Sequence, residues 1–236
     1  MMKRMGSGAL RRFLVVGLSF SILAAGLLGC QKAGQPQGSS AQKQAEGSAQ
    51  KQAEGSAQAV EIFDKAQAEN VLQELADKPN KLRITLEDER QIDCELYPDI
   101  APISVANFKR LVNEKFYDGK TFFRCIPGFM IQGGEPKPGE QVTNIRGEFS
   151  ANGIDNPLKH EDGVLSMARA QDFNSASTQF FIMDGTAKHL DGQYAAFGKV
   201  TAGLDVVHEI AALNSDGQQE YLNKPVGIKS ISFLED

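Results

Sequence analysis

The residues to examine first for metal binding or general-base work are His160, His189 and His208. They lie far apart, with no second ligand at helical or hairpin spacing. A zinc site needs several ligands brought close together, so this spacing gives no support for one. No Gly-x-Ser-x-Gly elbow presents a serine nucleophile, and no glycine-rich loop is laid out to cradle a phosphate. What stands out is a stretch with one cation among aromatic, thioether and amide side chains, Phe122-Phe123-Arg124-Cys125-Ile126-Pro127-Gly128-Phe129-Met130-Ile131-Gln132-Gly133-Gly134. A second, Gly163-Val164-Leu165-Ser166-Met167-Ala168-Arg169-Ala170, leads on to Ser177-Thr178-Gln179-Phe180-Phe181-Ile182. On pattern alone Phe129, Met130, Phe181 and Leu190 read as ordinary core, Arg124 as a solvated charge and Gln132 as an amide satisfying nearby backbone. Strand alternation assigns Phe122, Ile126 and Phe180 to the core, since neighbouring residues face opposite sides.

The elements that must position these runs are mostly strands. Leu82–Leu86 and Ile92–Leu96 alternate apolar with polar around a charged turn, the pattern of a half-buried hairpin. Asp118-Gly119, Asn152-Gly153, Asp162-Gly163, Asp184-Gly185, Asp191-Gly192 and Asp216-Gly217 cut the rest into short segments, the spacing of an all-β sandwich or barrel. Two segments carry a helical stripe: Ile103 to Lys115, with Val105, Phe108, Leu111 and Val112, and Gly203 to Leu213, with Leu204, Val207, Ile210 and Ala211. An all-β barrel capped by two short α-helices is the expected architecture. Cys94 and Cys125 are expected as small buried residues, with a disulfide between them as the alternative.

The chain has 236 residues, 25 Lys and Arg against 30 Asp and Glu, and three Cys, which excludes a disulfide-stapled mini-fold. Its net charge of −5 argues against a nucleic-acid binder. That charge is uneven: residues 1–29 hold Lys3, Arg4, Arg11 and Arg12 and no acid, leaving −9 on the remainder. An uncharged run from Phe13 to Leu28 follows the basic head, shorter than the ~20 residues of a spanning helix. Basic, then apolar, then small is the order of a secretory signal peptide, and Leu27-Leu28-Gly29-Cys30 resembles a bacterial lipobox. Residues 1–29 are therefore expected as signal peptide and Cys30 as a lipidated first residue, with an uncleaved anchor as the alternative. Both place the body outside the cytoplasmic membrane. Gln31, in place of the Asp that retains many lipoproteins at an inner membrane, directs the expectation to the outer membrane in a two-membrane cell and to the outer face of the plasma membrane in a single-membrane one. Residues 30–59, with an eight-residue unit starting at Ser40 and again at Ser48, cannot bury enough surface to fold and read as a flexible tether. As coil it reaches on the order of 30 Å. Residues 60–80 read as a short amphipathic helix with Phe63, Ala66, Val71, Leu72 and Leu75, ended by Lys78-Pro79-Asn80, before the main domain at 81–236.

The two runs together resemble the signature of the cyclophilin peptidyl-prolyl cis-trans isomerases. The match extends through Tyr97-Pro98, Pro102 and Asn107-Phe108 before them, and through His189-Leu190-Asp191-Gly192 and Ala196-Phe197-Gly198-Lys199-Val200 after them. It covers residues 81–236. The resemblance implies a closed antiparallel eight-stranded barrel. It makes Arg124 the catalytic arginine, with Gln132 beside it. Phe129, Met130, Phe181 and Leu190 become the pocket for the substrate proline, with Ala168 and Ala170 on its rim and Gln179 among its polar residues. His189 stands where the family often has tryptophan, Tyr194 where many members have histidine, and Arg169 where the best-known members have Asn. One extra residue lies between Ala170 and Gln179.

The implied reaction makes and cuts no bond, so the resemblance implies no metal and no cofactor. An X-Pro bond turns over a barrier of roughly 18–20 kcal/mol because amide resonance must be lost. A guanidinium aimed at the prolyl nitrogen stabilises the twisted state more than either planar one. The partners implied are proline-containing segments of exported polypeptides and, through Cys30, the membrane, with the protein itself a monomer. The alternative is a non-catalytic proline-binding module or chaperone at the cell envelope. Arg124 with the intact Phe129-Met130-x-Gln132 stretch discriminates against it, because a pure binder has no need of the guanidinium.

Overall fold

Alternating apolar residues build the first hairpin as expected. In the computed structural model, which describes residues 62–214 and 220–235, β1 (Lys81–Leu86) buries Leu82, Ile84 and Leu86 and β2 (Gln91–Leu96) buries Ile92, Cys94 and Leu96. Their register sets Leu82 against Cys94 and Ile84 against Ile92, so all six side chains share one face. The other strands are β3 (Thr121–Ile126), β4 (Met130–Gly133), β5 (Val164–Met167), β6 (Phe180–Met183), β7 (Ala196–Ala202) and β8 (Tyr221–Phe233). Every pairing is antiparallel, and the order β1-β2-β7-β5-β6-β4-β3-β8 closes on itself as a barrel.

Glycine turns set the strand boundaries. Each Asx-Gly pair within the described residues has its glycine at positive φ, from 69° at Gly192 to 117° at Gly185. The sixth pair, Asp216-Gly217, lies outside them, as do the expected signal peptide, Cys30 and the tether. Gly185 is also a close approach, since a Cβ there would stand 2.9 Å from the Gly128 carbonyl oxygen.

Among the described residues three α-helices accompany the barrel. α2 (Pro102–Asn113) and α3 (Leu204–Ala212) are the two expected caps. Val105, Phe108, Leu111 and Val112 of α2 are buried, as are Val207, Ile210 and Ala211 of α3. Phe108 meets Tyr117, Phe180 and Phe197 at ring separations of 4.9–5.2 Å to Tyr117, Phe180 and Phe197, the aromatic centre of the barrel interior. α1 (Lys65–Glu74) begins later than the apolar pattern suggested, because Asp64 caps it in a reciprocal box with Gln67. Its inward stripe is accordingly Ala68, Val71 and Leu72, continued by Leu75, while Ala66 is exposed. Lys109, 3% exposed, ties α1 to α2 by donating to the carbonyls of Lys78 (2.8 Å) and Leu75 (3.4 Å) and to Asn80 Oδ1 (3.2 Å).

α2 has no capping side chain of its own. Its N-terminus is capped from 45 residues away by Glu148, 1% exposed, which accepts from Ile103 N (2.8 Å), Ser104 N (2.8 Å) and Ser104 Oγ (2.6 Å). Burial pushes this carboxyl above its ordinary value, against the lowering effect of the three hydrogen bonds. The two described cysteines, Cys94 and Cys125, are free and buried, so the disulfide alternative does not form. Burial raises both thiols, that of Cys125 to about 12, which leaves them inert.

Two apolar clusters divide the strand residues. The larger fills the barrel with Phe122, Cys125, Ile131, Phe180 and Ile182 among others. The smaller lies on the outer wall and holds Met130, Phe181, Met183 and Leu190, with Phe129, Ala168 and Tyr194 packed against it. Ile126 also packs against this outer cluster, which corrects its assignment to the core.

Candidate active site

A bulge in β3 explains the misplaced Ile126 and aims the arginine. Phe122 pairs with Gly133, but Arg124 pairs with Gln132, so two residues of β3 oppose one of β4 between these points. The extra residue reverses the alternation: Phe122 and Cys125 face inward, and Arg124 and Ile126 face the outer wall. Gly133 permits the bulge, since a Cβ there would lie 2.9 Å from the Thr121 carbonyl oxygen.

Arg124 and Gln132, set side by side, form the centre of a polar rail. Arg124 Nη1 donates to Gln132 Oε1 (3.1 Å), and Gln132 Nε2 donates to Gln179 Oε1 (2.7 Å). The opposite edge of the guanidinium meets Glu220, with Nε at 3.0 Å and Nη2 at 2.9 Å from Oε2. Beside the rail runs a cleft of about 400 Å³ with Met130, Phe181 and Leu190 as its buried floor. Phe129 and His189 stack at 5.8 Å and both line the cleft.

Ten of the twelve residues named from the sequence line this cleft. Ala170 does not, and Gln179 contributes through Gln132 rather than from the lining. Gln193, which sequence reasoning missed, does line it; its neighbours Gly192 and Tyr194 were the available signal. Glu220 was also missed, being 96 residues from Arg124 with no motif to mark it. Arg169 lines the cleft, but its guanidinium is committed elsewhere. It donates to the carbonyls of Gln193 (3.1 and 2.9 Å), Ala170 (2.8 Å) and Gln171 (3.3 Å), and lies 4.5 Å from the Tyr194 ring centre. Arg169 therefore frames the cleft by holding the Tyr194 loop.

Behind the floor, buried His160 stacks on Phe181 and meets Asp191 Oδ1 (3.1 Å) and Ser166 Oγ (3.0 Å). Burial lowers its pKa below the ordinary histidine value. As Asp191 can only accept, Nδ1 carries the proton and Nε2 accepts from Ser166. The three side chains look like a hydrolase triad, yet Ser166 is fully enclosed within β5 and unavailable to substrate. Their work is to fix the turn Lys188–Leu190, and with it Leu190.

A second tie fixes Phe129. Asp184 accepts from Gly128 N (2.6 Å) and donates its own N–H to the Phe129 carbonyl (2.9 Å). Its other oxygen bonds His208 Nδ1, whose Nε2 is 3.4 Å from Asp162, and Asp162 in turn accepts from Gly185 N (2.9 Å). These three acids and bases converge within 4.8 Å despite their separation in sequence, and every carboxylate oxygen already has a partner. The bond to Asp184 raises the pKa of His208 above its ordinary value. The stabilisation is therefore fully present below the unfolded histidine pKa and lost as pH rises through the higher folded value. His208 is 45% exposed, so the effect stays below about 1 kcal/mol. Melting temperatures from pH 5.5 to 8.5 should fall more steeply for the wild type than for His208→Gln. Parallel curves would remove His208 from the pH response.

A larger surface cleft, about 630 Å³, runs along the Tyr221–Gly227 part of β8 and shares no lining residue with this one. Size alone does not mark the site; the convergence of an apolar floor and a guanidinium does.

Fold and site together define a closed antiparallel barrel with an apolar cleft on its outer wall, lined by two tethered arginines, of which Arg124 stands on the polar rail and Arg169 is committed to loop carbonyls. The family model for cyclophilin type peptidyl-prolyl cis-trans isomerases matches residues 81–233, and the chain belongs to that family and is a peptidyl-prolyl cis-trans isomerase. It is 45% identical over 138 residues to peptidyl-prolyl cis-trans isomerase B of Bacillus subtilis, covering 57% of this chain and 92% of that one. A probable peptidyl-prolyl cis-trans isomerase of Brucella suis is 40% identical over 144 residues, covering 57% and 73%. Among solved structures, a cyclophilin type isomerase of Cryptosporidium parvum, crystallised in the presence of the dipeptide Ala-Pro, superposes with a TM-score of 0.58 at 28% identity. That match covers 66% of this chain and 99% of the other.

Proposed function

We propose that this isomerase acts on X-Pro bonds of exported polypeptides outside the cytoplasmic membrane, as a monomer held by a lipid on Cys30, with Arg124 as its transition-state donor. The observation that carries the chemistry is the Arg124 guanidinium standing at the edge of an apolar cleft, fixed by Gln132 and Glu220. Phe129, Met130, Phe181 and Leu190 bind the pyrrolidine ring, with Ala168 and Tyr194 bordering them. The outer N–H bonds of Arg124 meet the prolyl nitrogen as its lone pair localises. Shortening an event of ~100 s to ~1 ms removes roughly 7 kcal/mol from the barrier. One charged donor in a partly dry cleft and a fixed ring supply terms of that order. The Ala-Pro dipeptide used with the Cryptosporidium parvum relative supports a proline-containing peptide as the ligand class.

The cellular setting rests on the Leu27-Leu28-Gly29-Cys30 sequence and the low-complexity stretch behind it. Cys30→Ala tests it. The wild-type chain should label with palmitate and sediment with membranes, and the variant should lose the label and precursor cleavage. Unchanged labelling and processing would rule out lipidation at Cys30.

A further inference from the structure

Contacts at one guanidinium nitrogen alone allow Arg124 to point in more than one direction. Its side chain has four rotatable bonds, and on this side only Nη1 is held, by Gln132 (3.1 Å) and by a long contact to Met130 Sδ (3.9 Å), so the guanidinium plane can still swing about that atom. A second contact on the opposite edge removes that freedom. Glu220 supplies it, meeting Nε and Nη2 with one oxygen and leaving the outer N–H bonds toward the cleft. The carboxylate is itself well placed, because Cys125 N donates to the Glu220 carbonyl (2.9 Å), and the next residue, Tyr221, pairs with Arg124 across β3 and β8. Glu220 thus approaches from the residue just before β8 and Gln132 from β4, the two strands that flank β3 on either side.

We infer that Glu220 is a positioning residue for the isomerisation, a carboxylate that locks the plane of the Arg124 guanidinium against the prolyl nitrogen of the substrate. This rests on the reading of Arg124 as the transition-state donor. The pair is exposed, 58% on the Glu220 side, so it adds little to stability. Its effect falls on the transition state, where a donor misplaced by a fraction of its hydrogen-bond length loses much of its value.

The test uses the full-length protein and NMR exchange on an uncharged Ala-Pro peptide, with kcat and KM measured separately for Glu220→Ala, Glu220→Gln, Arg124→Ala and the Arg124→Ala/Glu220→Ala double variant. Glu220→Ala should lower kcat about 10-fold with KM unchanged and a melting temperature within about 2 °C of wild type. Glu220→Gln keeps an acceptor oxygen and should recover kcat to within about 3-fold of wild type. In the double variant, loss of Glu220 should add nothing to the loss of Arg124. Unchanged or raised kcat in Glu220→Ala, with Arg124→Ala inactive, would overturn the positioning role alone. A fall in kcat that tracks a fall in melting temperature and is not rescued by Gln would overturn it too. Full activity in Arg124→Ala would instead bring down the donor reading beneath it.

Discussion

Arg124→Ala should lower kcat/KM by about 10²–10³-fold while the barrel stays folded, the cost of losing one charged donor from a preorganised site. That fold-change corresponds to roughly 3–4 kcal/mol of transition-state stabilisation. Three observations separate this from an unfolding effect. The Arg124 side chain is 24% exposed, its ion pair with Glu220 is a surface one, and Gln132 keeps its bond to Gln179 when the guanidinium is gone. Arg124→Lys retains a positive charge but cannot bridge Gln132 and Glu220 with a planar fork, and should fall between wild type and Ala. Exchange spectroscopy on an Ala-Pro peptide gives the rate and a thermal melt gives the fold. A folded Arg124→Ala protein with wild-type turnover would require another source for the rate enhancement.

Glu148→Ala should be the costliest polar substitution for stability, lowering it by about 3 kcal/mol. The carboxylate satisfies three donors at the start of α2, and each buried donor left without a partner costs about 1 kcal/mol or more. For a domain of this size that is a drop in melting temperature of about 6–12 °C. Relief of the buried carboxyl offsets part of the loss, which is why the lower end of the per-donor range is used. Glu148→Gln retains one acceptor but turns an amide N–H toward a donor, so it should recover less than half. A melt within 2 °C of wild type for the Ala variant would mean that water replaces the carboxylate at the helix terminus.

The first hairpin, the turns and two of the helices were legible because they rest on local signals, while the closed barrel and the cleft were legible through the family resemblance. Alternation in β1 and β2, the Asx-Gly turns and the stripes of α2 and α3 each reflect a period that the backbone imposes on a half-buried element. What escaped was non-local. Strict alternation puts Phe122, Arg124 and Ile126 on one face, and only the bulge against β4, which no residue of β3 announces by type, turns the last two outward. Glu148, Glu220 and His208 act on partners 24 to 96 residues away, distances over which a single sequence carries no pattern. The pocket roles of Phe129, Met130, Phe181 and Leu190 came from family resemblance, because an apolar side chain on an outer wall has the same composition as one in the core.

In the role proposed above, the protein works beside unfinished chains whose own strands seek partners. Sheets with a free border invite such chains to add to them, which is the first step of many co-aggregation events. Here β8 returns to β1 and closes the ring, so the sheet offers no open border for a client strand to extend. On the proposed reading, substrate is met by side chains on the outer wall and not by main-chain pairing. In that proposed role the isomerase would engage and release non-native chains repeatedly without seeding their assembly on itself.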